Sequence, residues 1–130
     1  MSAKSKVLII DDNPDFIEKT KSLLIAKGNY EVVYAYDGIE GIRKLSSEDP
    51  HIIILDAIMP NKDGYEICVQ LKSDNNYKHI PIILLTAETT HFSDIEYSPQ
   101  KGMEIKADAY LNKPCEPDKI LESVNRLLGK

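Results

Sequence analysis

The chain reads as an α/β protein, a parallel β-sheet wrapped by helices on both faces. Short apolar runs alternate with amphipathic helical segments along its length, and that alternation leaves few topologies besides right-handed crossovers into a parallel sheet. The central run, Ile52 to Leu55, is unbroken apolar, which suits a strand covered on both faces. Asp56 ends it, placing a carboxylate where open α/β sheets hold their ligands, outside the carboxyl ends of the strands. A length of 130 residues fits one domain spanning 1–130, because domains run to roughly 100–200 residues.

Lys6 to Ile10, KVLII, is the first strand, and it too ends in carboxylates, Asp11 and Asp12. Asn13 followed by Pro14 is a helix-start signal, with Asn as cap and Pro in the first turn. Phe16, Ile17, Thr20, Leu23, Leu24 and Lys27 follow at helical spacing, and Gly28 is expected to stop the helix. Tyr30 to Tyr36, YEVVYAY, is rich in β-branched and aromatic residues and forms the second strand. Asp37 and Gly38 mark a turn, after which Ile39, Ile42 and Leu45 repeat at helical intervals until Pro50 breaks the pattern.

The central strand is followed by a loop through Pro60. Asp63 and Glu66 are placed as a capping pair around Gly64, opening a helix with Tyr65, Cys68 and Leu71 on one side, so Cys68 is read as a core residue. Ile80 to Thr86, IPIILLT, is a fourth strand, with Pro81 acceptable near its start. Ala109 to Asn112 gives a short fifth strand, and Pro117 opens a last helix with Ile120, Val124, Leu127 and Leu128 inward.

Composition narrows the function classes. Hydrophobic residues make up 42% and charged residues 28% of the chain, the balance of a soluble globular protein, and no apolar run is long enough to span a bilayer. MSAKSK lacks the apolar core of a signal peptide, so the expected location is cytoplasmic and Cys68 and Cys115 are expected to be reduced thiols. A net charge of -5 without a Lys or Arg run argues against direct nucleic-acid binding. No Walker-type GxxxxGK[ST] or GxGxxG supports a nucleotide enzyme.

In a parallel sheet all carboxyl ends point one way, so Asp11, Asp12, Asp56, Thr86 and the loop bearing Lys113 converge on one shallow site. Each alone has a plain reading: a turn cap for Asp56, a strand-end residue for Thr86, a solvated charge for Lys113. Together they describe something more specific. Crowded carboxylates raise one another's pKa, and a hard divalent cation such as Mg²⁺, which prefers oxygen ligands, is the ordinary remedy. A hydroxyl and a fixed cation beside them are what a phosphoryl group needs, since its transfer is mostly positioning and charge neutralisation.

With IIDDNPD, ILDAIMPNKDG, LLTA and AYLNKP as carriers, the chain resembles a response-regulator receiver domain of two-component signalling, of the chemotaxis-regulator type, over nearly its whole length. The resemblance implies a flavodoxin-like, doubly wound, five-stranded parallel sheet of strand order 2-1-3-4-5. It implies that Asp56 is the phosphoacceptor, that Asp11, Asp12, Asp56 and the backbone carbonyl of Ile58 hold Mg²⁺, and that Thr86 and Lys113 contact the phosphoryl group. Thr86 and Tyr110 would form the conformational switch, and Lys113-Pro114 matches a bond that is usually cis in the family. The implied partners are a sensor histidine kinase or phosphotransfer protein and a downstream protein target. Such a domain is a regulatory switch rather than an enzyme, catalysing only its own phosphorylation and dephosphorylation.

Some features depart from the family pattern. Lys106 stands where a Gly is common, and Thr86 to Lys113 is longer than usual, with the excess in Glu88 to Gly102. Pro99 interrupts any helix there, so the expectation is an exposed loop followed by a short helix that opens at Ser98-Pro99 and ends near Ile105. The apolar Ile58 beside the site predicts slow loss of phosphate, although Glu88, two positions after Thr86, is within reach of the site. Two alternatives stay open: a phosphatase of the haloacid dehalogenase type, which would want an acidic residue where Ile58 stands, and a receiver-like scaffold that binds partners without phosphorylation.

Overall fold

The computed structural model describes residues 4–59, 63–87, 97–98, 103–104 and 107–130. In chain order the first elements are β1 (Lys6–Ile10), α1 (Pro14–Gly28), β2 (Glu31–Ala35), α2 (Gly38–Glu48), β3 (Ile52–Asp56) and α3 (Gly64–Lys72). Then come β4 (Ile82–Ala87), β5 (Tyr97–Ser98), β6 (Met103–Glu104), β7 (Ala109–Lys113) and α4 (Pro117–Leu127). The main sheet is parallel throughout and ordered β2-β1-β3-β4-β7. Counted within that sheet, the order is the expected 2-1-3-4-5 of a doubly wound, flavodoxin-like fold.

Strand periodicity explains the two layers. Leu8, Ile10, Ile53, Leu55, Ile82 and Leu84 face one side and pack with Leu45 of α2 and Ile67, Cys68 and Leu71 of α3. Their neighbours Val7, Ile9, Ile52, Ile54, Ile83 and Leu85 face the other side, against Ile17 and Leu24 of α1 and Ile120 and Val124 of α4. Successive strand residues point to opposite faces, so a strand with helices on both sides must be apolar at every position. That is why β3 has no polar residue before Asp56, its last member. Burial also pushes the Cys68 thiol up to about 12, as befits a core residue.

The caps follow the local sequence, with two corrections. Asn13 Oδ1 accepts from the N–H groups of Asp15 and Phe16 at 3.0 and 3.3 Å, and Asp37 Oδ1 accepts from Glu40 N at 2.8 Å. Gly28, expected to stop α1, is its last residue, and Asn29 takes the left-handed cap at φ 57. Gly28 answers a packing need instead, because a Cβ there would lie 2.5 Å from the Tyr30 ring. In α2 the inward residues are Gly38, Gly41 and Leu45, while Ile39, the first member of the apolar repeat read from the sequence, is 55% exposed. The helix runs so close to β1 that a Cβ on Gly41 would meet the Ile10 side chain at 2.5 Å, which turns the helix so that Ile39 faces out.

Pro81 stands just before β4, outside its ladder, and its carbonyl accepts from Ile53 N at 3.0 Å. At this amino end of the sheet, Lys72 Nζ lies 2.6 Å from Asp108 Oδ2 and donates to Ile80 O at 2.9 Å. Asp108 Oδ2 in turn accepts from Ile82 N at 2.8 Å, so one carboxylate joins α3, β4 and the approach to β7. The short helix expected from Ser98-Pro99 to near Ile105 is not what its described residues form, since Tyr97–Ser98 pairs antiparallel with Met103–Glu104. A residue preceding proline is biased to extended backbone, and that preference prevails at Ser98. The expectations for Glu88 and Lys106, and for the rest of the loop between β4 and β7, lie outside the described residues.

Gly64 fixes α3 against the end of β3. Its N–H donates to Ala57 O at 2.8 Å, and a Cβ would sit 2.0 Å from the Asp56 carbonyl oxygen. Backbone cannot move aside as a flexible side chain can. Gly64→Ala is therefore expected to lower stability by about 1–3 kcal/mol or more, as overpacking does. Urea denaturation of the variant beside the natural sequence measures this.

Candidate functional site

β1 and β3 are neighbours, and the pairing of Ile10 with Leu55 brings the next residues, Asp11 and Asp56, side by side. Both are buried, whereas Asp12, one residue further on, is exposed. The turn into α1 orients Asp11: its N–H donates to Ala35 O at 3.1 Å, and its Oδ1 accepts from Asn13 N at 2.9 Å. Carboxylate oxygens of Asp11, Asp12 and Asp56 lie within 4.8 Å of one another. Such an oxygen set suits a hard divalent cation.

Lys113 arrives from the end of β7, followed by a cis bond to Pro114. Its Nζ is 2.8 Å from Asp11 Oδ2 and 3.6 Å from Asp56 Oδ2, and it lies 4.8 Å from the centre of the Phe16 ring. Burial alone would lower the Lys113 pKa, but the hydrogen bond to Asp11 and the charges of Asp11, Asp56 and Asp12 outweigh it and raise the value. Asp56 is pushed up to about 6, first by burial and then by the Asp11 charge, against the downward pull of Lys113 and of the Ile58 N–H. That N–H donates to Asp56 Oδ1 at 3.4 Å, while the Ile58 side chain is 62% exposed.

Thr86 lies one residue beyond the partner of Asp56 on β4, which is Leu85. Its hydroxyl is directed sideways, donating to Asn112 Oδ1 at 2.9 Å. Tyr110 is half-buried against the α2–α3 layer, and its hydroxyl accepts from Ala107 N at 3.0 Å. Asp11, Asp12, Asp56 and Lys113 are thus gathered together, Thr86 stands at the end of the next strand bonded to Asn112, and Tyr110 lies earlier on β7, paired with Leu84. Asn112 and Phe16 were not expected as neighbours of the site. Asn112 is placed by the β4–β7 register, which the sequence does not reveal, whereas the signal for Phe16 is its place on the first turn of α1.

The family model for the response regulator receiver domain matches residues 7–125. The chain is 32% identical over 119 residues to PilG of Pseudomonas aeruginosa, covering 92% of this chain and 84% of that protein. It is 34% identical over 125 residues to the alkaline phosphatase synthesis transcriptional regulatory protein PhoP of Bacillus subtilis, covering 96% of this chain but 49% of that protein. The chain therefore spans about half the length of that relative. Among solved structures it is similar to the receiver domain of the sensor histidine kinase PA1611 of Pseudomonas aeruginosa, which has a magnesium ion coordinated in its active-site cleft. That likeness has a TM-score of 0.77 and 26% identity, covering 98% of this chain and 100% of the other. Among the described residues no helix is long and apolar enough to cross a membrane.

The raised pKa of Asp56 makes a stability prediction with a definite sign. The folded state holds its proton up to about pH 6, whereas the unfolded chain releases it near 3.8. Folding is therefore favoured by this group at low pH, and the benefit is lost as pH rises through 6. Asp56→Asn should be more stable than the natural sequence at pH 7.5 in buffer with a chelator, by on the order of 3 kcal/mol at most. The gain should shrink below pH 6 and vanish near pH 4. Thermal melting of both forms across that range checks it.

Proposed function

The chain belongs to the response regulator receiver domain family, and on that premise we propose that it is a phosphorylation-activated signalling switch with Asp56 as phosphoacceptor. The observation that carries this reading is the buried Asp56 carboxylate at a strand end, flanked by Asp11 and by the Lys113 ammonium at 3.6 Å. Asp56 attacks the phosphorus of a phosphohistidine or small phosphodonor; an oxygen–phosphorus bond forms as the bond to the leaving group breaks. Lys113 then steadies a phosphoryl oxygen, and the Thr86 hydroxyl donates to another. Tyr110 follows Thr86, changing the face offered to a partner. Asp11, Asp12, Asp56 and the Ile58 carbonyl would hold Mg²⁺, which when bound supplies positive charge that lets an anionic donor approach.

The donor is a sensor histidine kinase or a phosphotransfer protein, and the output is a downstream protein target, in the cytoplasm. This reading makes the domain regulatory, its chemistry confined to gaining and losing its own phosphoryl group. It binds no nucleic acid directly and inserts in no membrane.

Treatment with acetyl phosphate and Mg²⁺ should add one phosphoryl group by intact mass, with none in a chelator and none in Asp56→Asn. Labelling that survives in Asp56→Asn would overturn the assignment. The exposed apolar Ile58 side chain offers no group to orient an attacking water, which slows hydrolysis. Ile58→Asn should therefore speed loss of the label, and an equal or slower decay would contradict the role given to Ile58.

A further inference from the structure

The resting partner of Thr86 is set by the register of two strands. Thr86 pairs directly with Asn112 across β4 and β7, so both side chains stand on one face of the sheet. Two residues earlier on β7, Tyr110 stands on that same face, paired with Leu84. The Thr86 hydroxyl donates to Asn112 Oδ1 at 2.9 Å. A hydroxyl has a single proton to give, so it cannot donate to Asn112 and to a phosphoryl oxygen at once.

We propose that Asn112 is a positioning residue that holds the Thr86 hydroxyl in its resting direction, and that this hydrogen bond must break before Thr86 can turn to a phosphoryl group. The proposal rests on the reading of Asp56 as phosphoacceptor. It sets how readily the switch is thrown, because the new bond at the phosphoryl group must compete with the one already made.

The two partners are unequal. Thr86 is 1% exposed, so without Asn112 its proton has no easy recourse to water. Asn112 is exposed, and its amide exchanges Thr86 for solvent at little cost. Removing the amide therefore weakens the resting state more than the phosphorylated one. The expected direction is a protein that switches more easily.

Beryllofluoride, an unreactive phosphoryl mimic, provides the test when added with Mg²⁺ and followed by calorimetry and by NMR of the Tyr110 ring. Asn112→Val should bind it about three- to ten-fold more tightly than the natural sequence, the worth of one net hydrogen bond. Affinity for Mg²⁺ alone should not change, because Asn112 is outside the carboxylate cluster. In a Thr86→Val background the same substitution should make no difference. Unchanged or weaker binding in Asn112→Val, or an equal gain in the Thr86→Val background, overturns the proposal. Asn112→Ala repeats the measurement if the Val variant does not fold. Failure of the natural sequence to take up beryllofluoride would instead bring down the phosphoacceptor reading, and the proposal with it.

Discussion

Everything at the carboxyl edge of this sheet depends on placing two buried carboxylates, Asp11 and Asp56, side by side at the ends of adjacent strands. Burial first, and then the neighbouring Asp11 charge, disfavours the ionised form of Asp56, and its raised pKa records both costs. Lys113 relieves it, reaching Asp11 from 102 residues away in sequence. A buried ion pair of this kind adds little net stability, since desolvation offsets most of the attraction. What it does is tie the last strand to the first, so that the site exists only when the sheet is complete.

Much of this was legible because the sequence states it locally. The apolar run of β3, the Asn13-Pro14 start of α1 and the Asp37 cap are all short-range signals with direct physical causes. The acidic cluster could be read because parallel strands share a common end, so that Asp11, Asp12 and Asp56 had nowhere else to gather. What escaped depended on distances between elements. Helical spacing gives a period but not a phase, and only the closeness of α2 to β1 shows that Gly41, not Ile39, faces inward. Asn112 escaped for a similar reason: its pairing with Thr86 spans the long connection after β4, across which no register can be counted from sequence.

β7 serves both sides of the sheet. Tyr110 and Asn112 stand on the face shared with α2 and α3, where Asn112 meets Thr86. Ala109 and Leu111 belong to the opposite layer, and so does Phe16, over which the Lys113 ammonium lies. Adjacent residues of one strand therefore couple the same few ångströms of chemistry to helices on opposite faces.

The Lys72–Asp108 pair has a mechanical consequence. It clamps the amino end of β4 and the approach to β7, through an ion pair at 2.6 Å and a hydrogen bond from Ile82 N. The other end of β7 is held by side-chain bonds, Lys113 to Asp11 and Asn112 to Thr86. Between these ends β7 is paired with β4 along its whole length, from Ala109 to Lys113. Lys113 and Thr86 therefore belong to one ladder, and a shift of either tip has to be shared by both strands.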